Sequence, residues 1–106
     1  MRFMLKAILD TEKANAAAKA GKLGKTIQAI VGDLKPEAAY FTDDHGKRTA
    51  YIFFEMRDAS QIPVVAEPWF LAFNAHLEFH AVMVAKDLAK AEGGIEQAAR
   101  RYSLVA

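Results

Sequence analysis

Apolar and polar positions alternate in several short stretches, and between them fall longer segments with helical spacing. Residues 2–9 are rich in β-forming residues and alternate, which predicts a first strand. Asp10 and Thr11 can cap a helix that begins just after them, and residues 12–20 are rich in alanine and lysine. Gly21 and Gly24 interrupt that helix. A second helical piece follows, with Ile27, Ile30, Val31 and Leu34 on one stripe, and Pro36 ends it. Ala38 to Thr42 reads as a short second strand, Asp43 to Gly46 as a turn, and Arg48 to Met56 as a third strand. Asp58 to Ser60 can cap a helix with Pro63 in its first turn and Ile62, Val65, Ala66 and Phe70 at helical spacing. Pro68 is expected to kink or split that helix. A fourth strand is expected over Leu77 to Ala85. The tail from Asp87 is expected to be helical but broken at Gly93 and Gly94, with fraying at the last residues.

The order β-α-β-β-α-β plus a C-terminal helix predicts an α+β fold: a ferredoxin-like sandwich with a four-stranded antiparallel sheet ordered 4-1-3-2. Right-handed crossovers put both main helices on one side of the sheet. Phasing each strand gives one wholly apolar set: Phe3, Leu5, Ala7 and Leu9, then Ile52, Phe54 and Met56, then Leu77, Phe79, Ala81 and Met83. These belong against the helices. The opposite set is mixed, with Met4, Tyr51, Phe53, Val82 and Val84 beside Lys6, Glu55, Glu78 and His80. A monomer seldom keeps so large an apolar patch in water, so a second copy of the chain is expected to cover it, as a homodimer through the sheet face.

A length of 106 residues fits one domain, and an apolar share of 53% is high for a monomer of that size. The net charge of +1 argues against a dedicated nucleic-acid or anionic-membrane surface. With no cysteine there is neither disulfide nor thiolate chemistry. No stretch approaches the ~20 apolar residues of a membrane span, and the first apolar run carries Lys6, unlike a signal peptide, so a cytoplasmic protein is expected.

These elements and the two-faced sheet, over residues 2–86, resemble the dimeric α+β barrel superfamily. Leu34 to Thr42 and Ala66 to Ala75 also resemble a group of small uncharacterised bacterial proteins. The superfamily resemblance implies a barrel closed by two sheets. Its members include cofactor-free monooxygenases, muconolactone isomerases, haem-dependent dismutases and ligand-sensing regulators. A fold this versatile does not define a reaction.

The polar cluster offers two alternatives. His80 can act as a general base oriented by Glu55 or Glu78, with Lys6 stabilising an enolate or phenolate of a hydrophobic aromatic or carbonyl compound. Or the same charges pair with one another and fix the register of a dimer. His80 and Glu78 alone make a poor metal site, and no cofactor is expected. His45 reads as a solvated turn residue. Tyr51, Phe53, Trp69, Phe70 and Phe73 can line an apolar pocket or belong to the core, and Asn15 can reach a pocket mouth or sit in solvent. The pair Gly21 and Gly24 before Lys25 and Thr26 lacks the spacing of a phosphate loop.

Overall fold

A computed structural model describes residues 1–103. Nine elements follow one another: β1 (Arg2–Ile8), α1 (Thr11–Lys19), α2 (Leu23–Leu34), β2 (Ala38–Asp44), β3 (Lys47–Glu55), α3 (Gln61–Phe73), β4 (His76–Ala81), α4 (Ala85–Lys90) and α5 (Glu92–Tyr102). The four strands form one antiparallel sheet in the order β2-β3-β1-β4. This is the ferredoxin-like α+β plan the pattern predicts, with the expected strand order.

Local chemistry explains the boundaries. Asp10 caps α1 by accepting a hydrogen bond from the Lys13 amide at 3.0 Å. Gly21, at φ +72°, lets the chain turn between α1 and α2, so the first helical region is divided where the glycines predict. The β2–β3 hairpin turns through His45 and Gly46, both at positive φ, and the Asp43 carboxylate accepts from the Gly46 amide.

The helix-facing set of the sheet makes the core. Leu5, Ala7, Leu9, Ala50, Ile52, Phe54 and Met56 are buried against Ala14 of α1 and against Trp69 and Phe73 of α3. Across β1, Leu5 stands between Ile52 and Phe79, so the phase read from alternation holds in all three strands, but Ala81 and Met83, expected against the helices, are exposed.

Four expectations change. First, β2 continues through Asp44 instead of stopping at Thr42, because the tight turn at His45 and Gly46 keeps Asp43 and Asp44 paired with Arg48 and Lys47. Second, α3 runs unbroken through Pro68. The ring frees the carbonyl of Val64, a residue on the solvent side, while buried Ala66, Trp69 and Phe73 hold the helix on the sheet. Third, β4 ends at Ala81, after which the Val82 amide still bonds the Arg2 carbonyl but regular pairing stops. Fourth, the tail is two helices that meet at Ala91, not a helix broken at the glycines. Gly93 and Gly94 lie in the first turn of α5, where the amides have no intrahelical partners to lose. Of the tail expected to fray, Arg100 and Arg101 are helical in α5; residues 104–106 lie outside the described residues.

The tail also sets the shape. The molecule measures 60 × 29 × 22 Å with a radius of gyration of 18.1 Å, against about 13 Å for a compact chain of 100 residues. Every residue of α4 and α5 is exposed.

Candidate functional site

Two places gather chemistry, and the sheet lies between them. The first is a cavity on the helix side, between α2 and the β2–β3 hairpin. Its volume is about 660 Å³, and it is lined mainly by Ile27, Val31, Phe41, Ala50 and Trp69, with Gln28, Thr42, Arg48 and Thr49 as its polar members. Its cause is the sequence of α2. Gly24, Gln28 and Gly32 fall four residues apart on the stripe that overlooks the hairpin, and the two glycines send no side chain downward. Ala50 beneath them is small as well. The apolar stripe Ile27, Ile30, Val31 and Leu34 therefore rests on the core only half-buried, and space remains beside it.

Trp69 lies in this wall with its whole surface buried. Its indole Nε1 is the one buried side-chain polar atom among the described residues that lacks a hydrogen-bond partner. A buried donor left unmade costs about 1–3 kcal/mol, so the indole carries an unmet demand for an acceptor. At the rim, the Arg48 guanidinium donates to Asn15 Oδ1 at 3.0 Å, which ties the start of β3 to α1. Asn15 thus orients a lining arginine. Phe41, on the edge strand, remains 56% exposed and forms the outer lip.

The second place is the open sheet face. The register sets Lys6 between Tyr51 and Glu78, and Met4 between Phe53 and His80. Tyr40 stands beside Tyr51 on β2, its ring edge-on to Phe53 at 6.4 Å between centroids. Glu78 is flanked by two imidazoles, His76 at 3.3 Å and His80 at 3.4 Å. Lys6 is 19% exposed and reaches Asp44 at 3.1 Å, with its ammonium 5.9 Å from the Tyr51 ring centre.

Lys6, Glu78 and His80 therefore share a neighbourhood, as the strand phases predict. Glu55 does not join them. It lies four residues along β3 from Tyr51, about 13 Å away, where it pairs across from Arg2 and binds the N-terminal ammonium at 2.9 Å. Asp44 takes its place beside Lys6. That partner escapes the sequence because two aspartates before a His-Gly pair read as turn formers; only the two-residue turn keeps Asp44 in the strand and on the open face. Tyr51 and Phe53 also part from Trp69, Phe70 and Phe73. The sheet separates the two groups, Phe73 is core and Phe70 points outward. His45 is solvated, though its Nδ1 lies 3.0 Å from Asp44.

The charges shift one another in the directions this pairing requires. A hydrogen bond from Lys6 holds the Asp44 carboxyl below the usual carboxylate range, and the same bond raises Lys6. Contact with His80 does most to depress Glu78, with Lys6 and His76 adding to it. The N-terminal ammonium depresses Glu55. A carboxylate whose folded pKa is lowered lends stability above its unfolded pKa and loses it as pH falls through the folded value. Thermal stability is thus expected to drop on acidification below about pH 4. Asp44→Asn should flatten that acid limb, as thermal unfolding followed by circular dichroism across pH 2–7 would show. An acid limb unchanged in Asp44→Asn would remove the Lys6 pair as its source.

No family model matches the chain, and no curated sequence relative does either. Among solved structures, the chain resembles a 5-chloro-2-hydroxyhydroquinone dehydrochlorinase from Burkholderia phenoliruptrix AC1100, solved with 2,5-dihydroxybenzoquinone. The TM-score is 0.59 at 14% identity, over 82% of this chain and 98% of that one. A formyltetrahydrofolate deformylase from Pseudomonas putida KT2440 overlaps 77% of this chain but only 29% of its own, with a TM-score of 0.47 at 15% identity. At these identities the likeness is one of fold. Among the described residues, no helix is long and apolar enough to cross a membrane.

Proposed function

We propose that this chain is a small-molecule-binding protein of the dimeric α+β barrel type, taking a flat hydrophobic ligand that carries a hydrogen-bond acceptor into the cavity between α2 and the β2–β3 hairpin. One observation carries this: Trp69, whose buried Nε1 has no hydrogen-bond partner within the described residues, is among the residues that line an apolar cavity. The volume falls within the roughly 300–1,000 Å³ range of small-ligand sites. Ile27, Val31 and Phe41 would contact the ligand's faces, Trp69 would donate to a carbonyl or phenolate oxygen, and Arg48, held by Asn15, would favour negative charge at the rim. The dehydrochlorinase that shares the fold was solved with a hydroxylated quinone, a compound of this general kind.

A second role belongs to the open face. Lys6, Asp44, Glu78, His76 and His80 each have a charged neighbour, which favours a network that sets the register of a homodimer over a base poised for proton abstraction. His80 and Lys6 lie across the sheet from the cavity, so proton transfer from His80 to a cavity-bound ligand forms no part of the proposal.

Isothermal titration with 2-naphthaldehyde and with naphthalene, which lacks the carbonyl, tests the ligand reading. The aldehyde should bind about tenfold tighter, the worth of one hydrogen bond, and Trp69→Phe should erase that difference. Equal affinity for both compounds in the native protein, or no binding by either, would overturn it.

A further inference from the structure

Among the described residues, Arg48 is the only charged residue that lines the cavity between α2 and the β2–β3 hairpin, and no acidic side chain joins it there. Strand phase puts it in place. Arg48 shares the helix-facing side of β3 with Ala50, Ile52 and Phe54, at the end of the strand next to the turn. Its partner sets it apart from the cations of β1. Arg2 meets Glu37 and Lys6 meets Asp44, so both are neutralised by carboxylates. Arg48 meets an amide instead. Its Nη1 donates to Asn15 Oδ1 at 3.0 Å, and among the described residues no carboxylate forms an ion pair with it. Asp43 stands opposite Arg48 across the hairpin, but its carboxylate accepts from the Gly46 amide at 3.1 Å.

This pairing leaves one side of the guanidinium free. With Nη1 on Asn15, the edge formed by Nε–H and Nη2–H has no partner among the described residues. That edge can hold a carboxylate side-on, through two parallel charge-assisted hydrogen bonds.

We infer that the ligand of this cavity is an aromatic acid, bound as its monoanion, with the ring among Ile27, Val31 and Phe41 and the carboxylate on Arg48 at the mouth. The inference rests on the ligand-binding role proposed above and adds the class of compound the site selects. The position of Arg48 suits a charge at the rim. A carboxylate set deeper, among Ile27, Val31 and Ala50, would lose its water with no opposite charge to offset the loss. Arg48 is exposed, as are Phe41 and Thr42, so a carboxylate there exchanges only part of its water for the guanidinium. Asn15 is a positioning residue in this scheme. It holds the guanidinium in place without cancelling its charge, which an aspartate at the same point of α1 would do.

Isothermal titration at neutral pH with 2-naphthoate and with 2-naphthamide, its neutral counterpart of similar shape, tests this. The naphthoate should bind about tenfold tighter, the low end for a hydrogen bond to a charged group because the site is open to water. Arg48→Gln keeps a hydrogen-bonding side chain without the charge and should bring the ratio to about one. Asn15→Asp should do the same by placing a carboxylate against the guanidinium, whereas a merely structural Asn15 would leave the preference intact. Both positions are exposed, so both variants are expected to fold. Equal affinity for naphthoate and naphthamide would overturn the inference, as would a preference that survives Arg48→Gln or Asn15→Asp. If 2-naphthaldehyde still outbinds naphthalene in those cases, the cavity keeps its ligand and only the acid group is lost. If none of these compounds binds, both readings fall.

Discussion

Trp69→Ala is expected to cost about 3–5 kcal/mol of folding stability, and to fall near the lower end of that range. Trp69 is wholly buried and tilts against Phe73 at 6.3 Å between ring centres. Truncation therefore removes a large apolar side chain from the contact between α3 and the sheet. Two features soften the loss. Trp69 is among the residues that line the cavity, so the space its removal leaves adjoins space that is already there. The unmet Nε1 is removed with it, which cancels a standing cost. Phe73→Ala, with neither feature, is expected to lose more. For a domain with about 5–15 kcal/mol to spare, either change leaves a weakly folded protein. The midpoint of thermal unfolding should fall by about 15–30 °C, read by far-ultraviolet circular dichroism, since the variant has no tryptophan to report. Equal losses at the two positions would mean that the indole is packed like any core residue and that the cavity beside it is closed in solution.

The contrast between Trp69 and Lys6 shows what the sequence discloses. Strand phase is legible because alternation is a property of the backbone: once Leu5, Ile52 and Phe79 face inward, Lys6, Tyr51 and Glu78 must face outward. The division of α1 from α2 is legible because Gly21 supplies a positive φ. The cavity is not legible, since it comes from what α2 lacks. Gly24 and Gly32 read as interruptions of a helix, and only the placement of α2 over Ala50 turns them into empty space. Asp44 is hidden for a related reason: its partner depends on how far β2 extends, and that is decided by the hairpin turn rather than by hydrophobic pattern. At the tail the glycines mislead in the other direction. A glycine weakens a helix interior but costs little in its first turn, so the division falls at Ala91 rather than at Gly93 and Gly94.

Phe53→Glu is expected to abolish the proposed dimer while leaving the protomer folded. Phe53 stands near the middle of the open face, opposite Met4 on β1 and Ala38 on β2, with Tyr40 edge-on beside it. It is only partly buried in the protomer, and its neighbours Ile52 and Phe54 hold the core from the other side of the strand. A carboxylate here stays hydrated in the separate protomer, so the change should cost it no more than about 1 kcal/mol in strand propensity. Between two sheets the same group would lose its water without gaining a partner, because the flanking cations, Lys6 and Arg2, are already committed to Asp44 and Glu37. The penalty is several kcal/mol per buried charge, and two-fold symmetry doubles it. The dissociation constant should therefore rise by at least about a thousandfold, a clean shift from dimer to monomer in sedimentation equilibrium at micromolar concentration. Glu55→Gln, at the margin beside the N-terminal ammonium, should move it little. If Phe53→Glu sediments as the native protein does, a different surface joins the copies, and Tyr40, Tyr51 and Phe53 face water or some other partner.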